Sequence, residues 1–229
     1  GQGNDTINAT GEFDGIDNEG KIDTGAGKDT VTADGGTFGI RNRLGTIETG
    51  KGSDTIIATG GISNGISNDE GTIDTGQGKD KITADSSFDG IRNRLGTIET
   101  GQGSDMITPT GGDFGINNDS IIETGAGQDL ITGIGPDEFS GFSGGGEINL
   151  GTGNDTIQGF GEQTVFGGDG FDTAIFEFDS SAVTFGSGTT PGSTEVITDG
   201  ITMTFFEVEQ FVFSNGTFEV AWSQVRIAY

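Results

Sequence analysis

Single apolar residues recur along the chain every 24 to 26 positions, separated by glycines and polar residues. Short β-branched runs between Gly, Asn and Asp predict strands joined by tight turns. Three such series run through the sequence, so each period is predicted to contain three strands. The series are Ile7, Val31, Ile56, Ile82, Ile107, Ile131, Ile157; Ile16, Ile40, Ile66, Ile91, Ile116, Phe142; and Ile22, Ile47, Ile73, Ile98, Ile122, Ile148.

A repeat of this length predicts a solenoid, because one coil cannot bury its own apolar face and must stack on its neighbours. The expected fold is all-β: a right-handed parallel β-solenoid of the β-roll or β-helix type, with three-strand coils over residues 1–172. Stacking would bring each apolar series into an inward column with a spacing of about 4.8 Å.

Each period also carries a turn of the form G-x-G-x-D, directly before a strand. Glycine permits positive φ and close approach of backbones, and Asp adds a carboxylate. Stacked coils would align these carboxylates in one file. The aspartates are Asp5, Asp29, Asp54, Asp80, Asp105, Asp129, Asp155 and Asp172.

Composition narrows the chemistry available to the chain. The 229 residues include 46 Gly but no Cys and no His, and the formal net charge is -26. This charge argues against nucleic acid and anionic membrane surfaces as partners. Thiolate and imidazole ligands are excluded, whereas hard oxygen ligands, which suit calcium, are abundant. The most apolar window, "ITMTFFEVEQFVF", contains two Glu and is too short to span a bilayer, so no membrane insertion is expected.

The aligned carboxylates need a counter-charge. Two carboxylates about 5 Å apart repel by about 3 kcal/mol at an effective dielectric constant near 20. No column of Lys runs beside them, and a second acidic series precedes each turn: Asp23, Glu48, Asp74, Glu99 and Glu123. Asp also favours turns for purely structural reasons, but its recurrence in register favours a row of divalent cations.

These turns resemble the haemolysin-type calcium-binding repeat of RTX proteins, G-G-x-G-x-D-x-U-x. The fullest match is "GGDGFDTAI" at 167–175, and "GQGNDTI" and "GTGNDTI" are close variants. The resemblance implies a parallel β-roll that orders on binding several Ca²⁺ ions, and type I secretion with an uncleaved C-terminal signal. It implies calcium sites at the eight aspartates above and at Gly25, Gly27, Gly50, Gly52, Gly76, Gly78, Gly101, Gly103, Gly125, Gly127, Gly151, Gly153, Gly168 and Gly170.

The sequence departs from the family pattern in two ways. Thr usually replaces the first Gly, and there is one nonapeptide per coil where the family has two. The first departure puts one carbonyl geometry in doubt. The second predicts a single row of calcium on one edge, with an extra strand in place of the second turn.

A weaker double period of 51 residues is also present, since "GIRNRLGTIETG" occurs at 39–50 and again at 90–101. In-register stacking would produce a column of alternating charge, whose opposite neighbours attract and resist slippage of the register. Beside it runs an asparagine column, which favours an amide ladder over a second calcium row. The two columns are Glu19, Arg43, Asp69, Arg94, Asp119 and Asn18, Asn42, Asn68, Asn93, Asn118.

After Asp172 the repeat ends, and residues 173–229 predict ordinary strands rich in Phe. We expect a C-terminal β cap over the last coil, overlapping a secretion signal. A separate β domain is the competing interpretation, but fewer than 60 residues without disulfides would bury little core.

The function that follows is that of an extracellular or cell-surface calcium-binding structural or adhesive module, not an enzyme, with matrix or cell-surface polysaccharide as a candidate partner. One alternative is a self-assembling filament or matrix subunit that associates through its open N-terminal coil. Another is the non-catalytic part of a secreted polysaccharide-acting enzyme. A lyase using Arg41, Arg43, Arg92 or Arg94 is disfavoured because these residues recur, and ice binding is disfavoured because the outward Thr positions are irregular.

Overall fold

The computed structural model of the protein describes residues 1–188 and 192–219. The described chain is nearly all β-structure, with one short 3₁₀ turn at Ser180–Ala182. Successive coils stack in parallel and form three sheets along a common axis. The predicted parallel β-solenoid with three strands per coil is thereby confirmed.

Sheet 1 contains the strand that follows each G-x-G-x-D turn. Its ten strands, in spatial order, are Thr6–Gly11, Thr30–Gly35, Thr55–Gly60, Lys81–Ser86, Met106–Ile107, Leu130–Thr132, Thr156–Gln158, Thr173–Ile175, Gln210–Phe213 and Gly216–Glu219.

Sheet 2 contains the middle strand of each coil, and its six strands show that six coils have all three strands. In chain order they are Asp14–Asn18, Phe38–Arg43, Ile66–Asp69, Ile91–Arg94, Ile116–Asn118 and Phe142–Ser143.

Sheet 3 contains the strand that precedes each turn, and it has eleven strands in the described part of the chain. Ten follow one another in space: Lys21–Asp23, Thr46–Glu48, Thr72–Asp74, Thr97–Glu99, Ile121–Glu123, Glu147–Gly153, Thr164–Gly170, Ile201–Phe206, Ser193–Thr198 and Thr184–Ser187. The short strand Ala126–Gly127 pairs beside Glu147–Gly153.

The core lies between the three sheets and consists of the predicted apolar columns. Val31, Ile56 and Ile82 are register partners along sheet 1, and each is fully buried. The second and third series are likewise buried from the second coil onward. Ile7 and Ile22 are only partly buried, because the first coil has a neighbour on one side only.

The corner between sheets 2 and 3 is closed by the predicted amide ladder. The Asn42 side-chain amide donates to Asn68 Oδ1 at 2.8 Å, and Asn68 donates to Asn93 Oδ1 at 2.9 Å. Asn68 also donates to the carbonyls of Gly71 and Thr97. These buried amides satisfy one another, so the corner requires no cation.

The column of alternating charge forms ion pairs between neighbouring coils. Arg43 lies 2.8 Å from Glu19 and 2.7 Å from Asp17, and Arg94 lies 2.9 Å from Asp69. All these side chains are exposed enough for water to screen them, so each pair adds little to the free energy of folding. The column therefore secures register more than stability.

At the C-terminal end the stacking first continues and then reverses. Ile201–Phe206 and Gln210–Phe213 pair in parallel with the preceding coil, whereas Ser193–Thr198 and Gly216–Glu219 pair antiparallel. Phe176 packs against Phe178, Phe205, Phe211 and Phe213 beneath these strands. The predicted secretion signal has its last residues, 220–229, outside the described part of the chain.

Candidate metal centre

The G-x-G-x-D turns form the corner between sheets 3 and 1. All the turn glycines predicted as calcium sites have positive φ, between +92° and +152°. Neighbouring turns pair through their backbones, since the Lys51 N–H donates to the Gly25 carbonyl at 2.9 Å and the Gly27 N–H donates to the Lys51 carbonyl at 2.7 Å.

These turns approach so closely that only glycine fits. A Cβ placed on Gly52 would lie 1.7 Å from the carbonyl oxygen of Gly27, and one on Gly50 would lie 1.9 Å from that of Gly25. The glycines thus bring the carbonyl oxygens of one turn against the backbone of the next.

The turn aspartates point into this corner and are buried. From Asp29 to Asp172 their relative exposure is at most 2 %. One carboxylate oxygen of each accepts the backbone N–H of the aspartate one coil earlier: the Asp29 N–H donates to Asp54 Oδ1 and the Asp54 N–H to Asp80 Oδ1, both at 2.7 Å. The aspartates therefore form a continuous internal file. Asp5 lies at its open end and is half exposed.

The second carboxylate oxygen has no partner. Seven Oδ2 atoms in the described part of the chain are buried without any hydrogen bond, and they belong to Asp29, Asp54, Asp80, Asp105, Asp129, Asp155 and Asp172. A buried anionic oxygen without a donor is costly, because its lost hydration is not replaced. The protein thus supplies a hydrogen-bond donor to only one of the two oxygens of each carboxylate in the file.

Burial and mutual repulsion change the proton affinity of the file. Burial, reinforced by the charges of Asp105 and Asp54, raises the pKa of Asp80 to about 7, against the Asp54 N–H bond and the Thr75 hydroxyl, which lower it. Burial raises the pKa of Asp129 to about 7 and that of Asp172 to about 6 for the same reasons. Burial also raises the pKa of Asp54, Asp105 and Asp155.

The threonine that replaces the first glycine of the family repeat links neighbouring coils by a hydrogen bond. Thr49 is fully buried, and its hydroxyl donates to the Thr75 carbonyl at 3.2 Å; Thr75 repeats this bond to Thr100. The threonine carbonyl at this position, whose geometry was in doubt from the sequence, therefore accepts a hydrogen bond from the threonine hydroxyl of the previous coil.

Sequence reasoning missed the residue that ends the aspartate file. The Asp172 N–H donates to Glu209 Oε2 at 2.8 Å, as each earlier Asp N–H donates to the next Asp. Glu209 precedes the strand Gln210–Phe213, which pairs in register with Thr173–Ile175. The available signal was an acidic residue two positions before a buried apolar one, Phe211, as in every repeat.

The second acidic series runs along the strands that precede the turns. Asp23, Glu48, Asp74, Glu99 and Glu123 are register partners along sheet 3, and all are at least partly exposed. Lys21 contacts Glu48 at 2.7 Å and Asp23 at 3.1 Å. Burial, and then the neighbouring carboxylates, raise the pKa of Asp74 and Glu99. The buried turn file and this outer row are therefore separate features.

The donor set of the corner fits a hard cation. It offers carboxylate and carbonyl oxygens and no nitrogen or sulfur side chain, which is the set that Ca²⁺ takes. Within residues 1–188 and 192–219, no group of three or more Asp or Glu side chains is placed to hold a metal. Any ion here would therefore depend on aspartates of two successive coils together with turn carbonyls.

Three of the four arginines of the disfavoured lyase interpretation have other contacts. Arg43 and Arg94 form the ion pairs described above, and Arg41 lies over the Phe38 ring at 5.2 Å from its centroid. These positions repeat along sheet 2 rather than converging on one place.

The chain matches no protein-family model and no curated protein. Across the described residues, no helix is long and apolar enough to cross a membrane. The geometry of the aspartate file is therefore the main guide to function.

Proposed function

We propose that this chain is a calcium-binding structural module of the RTX type, secreted and working outside the cell or on its surface. The observation that supports the proposal most strongly is the file of seven buried aspartates, each with one carboxylate oxygen that has no partner. Among the described residues, the salt bridges that involve a lysine or arginine include none of these aspartates. The neutralising charge must therefore come from protons or from a bound cation.

Calcium bound in this corner would supply that charge and oxygen coordination. The residues that would hold it are the aspartates from Asp29 to Asp172 and the carbonyls of the turn glycines. The protein's own part is to align the carboxylates through the Asp N–H bonds and to keep them away from water. Because extracellular calcium modules bind at about 10⁻⁴ to 10⁻³ M, the file would load outside the cell rather than inside it.

Coupled folding follows from the same arrangement. Ionised, the file opposes the packed state; neutralised, it stabilises stacking of successive coils. The chain would thus order after export, on meeting calcium. Its use would be as a rigid spacer or adhesive surface, with matrix or cell-surface polysaccharide as the proposed partner.

Self-association is the second candidate function. The strands of the first coil form one edge of all three sheets, and Ile7 and Ile22 at that edge are only partly buried. Unpaired strand edges accept further strands.

Asp80→Asn tests the proposed function because it should shift Tm in opposite directions with and without calcium. Asparagine keeps the oxygen that accepts the Asp54 N–H but removes the charge. At pH 8 in chelator we expect Tm to rise by about 5 °C or more, since a buried charge without a partner is lost. In saturating calcium we expect Tm below that of the wild type, because one ligand is lost.

The matched control is Asp34→Asn, which removes the same charge from an exposed position on sheet 1. Its Tm should follow the wild type in both conditions. A shift of Asp80→Asn in the same direction with and without calcium would contradict the proposal.

A further inference from the structure

A cavity of about 350 Å³ breaks the regular surface near the C-terminal end of the repeats. It lies between the strands Leu130–Thr132 and Thr156–Gln158 of sheet 1 and the loop 133–141. This loop departs from the repeat, so the cavity belongs to this one place in the described solenoid. A volume of this size suits a small organic ligand.

The floor of the cavity is built from neighbouring coils. Thr132 and Gln158 are register partners on sheet 1, and Glu177 comes from the following coil. The Gln158 amide donates to Glu177 Oε1 at 3.2 Å. The amide oxygen of Gln158 is thereby left as an acceptor.

Thr132 is the buried polar group at this site. Only 9 % of its surface is exposed, although it lines the cavity. None of the side-chain hydrogen bonds in the described part of the chain involves its hydroxyl. The hydroxyl is not among the buried side-chain atoms without a partner in the described residues, so it reaches the open space of the cavity and is available to a ligand there.

The wall of the cavity is acidic, and its carboxylates are exposed to solvent. Asp137 and Glu138 come from the loop, and Asp137 Oδ1 accepts the Phe139 N–H at 3.0 Å and the Ser140 hydroxyl at 2.5 Å. Among the described residues, no Lys or Arg lines the cavity. Together with Glu177 the wall presents three carboxylates, in a chain whose net charge is -26, so the electrostatic potential favours a cation.

An organic cation fits better than a metal ion. These carboxylates surround a wide space, and they are not among any group of three acidic side chains placed to hold a metal within the described residues. Ile134 and Pro136 add apolar surface, which a hydrated metal ion does not use.

We propose that this cavity binds a small organic ammonium compound, such as an amino sugar or an aliphatic amine. Its charged nitrogen pairs with Glu138 and Glu177, its N–H or O–H groups donate to Gln158 and Thr132, and its carbon atoms contact Ile134. The site is independent of the calcium file, because none of these residues belongs to it.

Isothermal titration calorimetry of the calcium-saturated protein tests this assignment. The probes are glucosamine and butane-1,4-diamine, with glucose and butane-1,4-diol as neutral counterparts. We expect saturable binding of at least one amine, about tenfold or more tighter than its neutral counterpart. Neither amine saturating in the millimolar range, or equal affinity for both members of each pair, would overturn the proposal.

Three variants separate the cavity from general attraction to an acidic protein. Thr132→Val removes the hydroxyl without a partner and should leave Tm unchanged, and Glu177→Gln removes one wall charge. Each should weaken amine binding about fivefold or more. Glu99→Gln removes an equal charge from the outer row on sheet 3 and should leave binding unchanged. A loss in Glu99→Gln equal to that in Glu177→Gln would overturn the assignment.

Discussion

Replacement of Gly78 by alanine is expected to destabilise the solenoid by about 4 kcal/mol or more. Gly78 has a φ of +143°, which side chains rarely adopt. A Cβ there would lie 1.5 Å from the Gly52 carbonyl oxygen, so the two turns would have to separate. Backbone cannot yield as a flexible side chain can. In calcium, thermal unfolding followed by circular dichroism should show a loss of about 10 °C or more in Tm.

Gly20→Ala is the matched control for this substitution. Gly20 lies in the corner between sheets 2 and 3, its φ is not positive, and an added Cβ would meet no atom within 4 Å. Its effect should stay within about 0.5 kcal/mol. Equal Tm values for the two variants would show that the close approach of the turns is not required.

The metal-free solenoid is expected to lose stability as pH rises. The folded pKa of Asp80 and Asp129 is about 7, above the ordinary value of 3.8. Between these values the folded state holds protons that the unfolded state has released, so raising pH removes free energy from the fold. Each unit of pKa corresponds to about 1.4 kcal/mol. Calorimetry of stripped protein should give a Tm about 10 °C lower at pH 8 than at pH 5.

Calcium and the file itself provide the controls for this pH dependence. Saturating calcium should reduce the difference in Tm, because the ion competes with protons for the same oxygens. The double variant Asp80→Asn, Asp129→Asn should reduce this difference in Tm in the absence of metal. The double variant Asp34→Asn, Asp85→Asn removes two exposed charges and should leave most of the difference in Tm between pH 5 and pH 8. A metal-free Tm that stays constant or rises from pH 5 to pH 8 would contradict this explanation.

The three sheets could be predicted because their physical cause is periodic. Each coil must bury one apolar side chain per strand, so the spacing of Val31, Ile56 and Ile82 determines both strand number and register. The asparagine ladder was predictable for a similar reason, since an amide column can satisfy its own hydrogen bonds and supplies no charge to hold a cation. These features depend on one residue type per coil.

The direction of the turn aspartates could not be predicted from the sequence. Spacing places Asp54 and Asp80 in one file, but whether they point outward or into the corner depends on the backbone geometry that the turn glycines adopt. That geometry also determines the bond from the Asp54 N–H to Asp80. Thr49, whose hydroxyl bonds to the next coil, depends on the same geometry.

Features that occur once carried weaker signals. Glu209 continues the file without any glycine before it, so the turn pattern did not reveal it. The cavity under the loop 133–141 arises where the repeat is interrupted, and a periodic pattern contains no information about an interruption. Site prediction from the repeat therefore covers what recurs and misses what does not.

Neutralisation of the aspartate file by calcium is proposed to drive folding of the chain. The most direct measurement is far-UV circular dichroism of chelator-treated protein at pH 8, where the file is ionised, a few degrees above the Tm of the metal-free protein, during titration with calcium and, separately, with magnesium. We expect a cooperative gain of β signal with calcium and none with magnesium. No gain of β signal with calcium, or an equal gain with magnesium, would contradict calcium-driven folding.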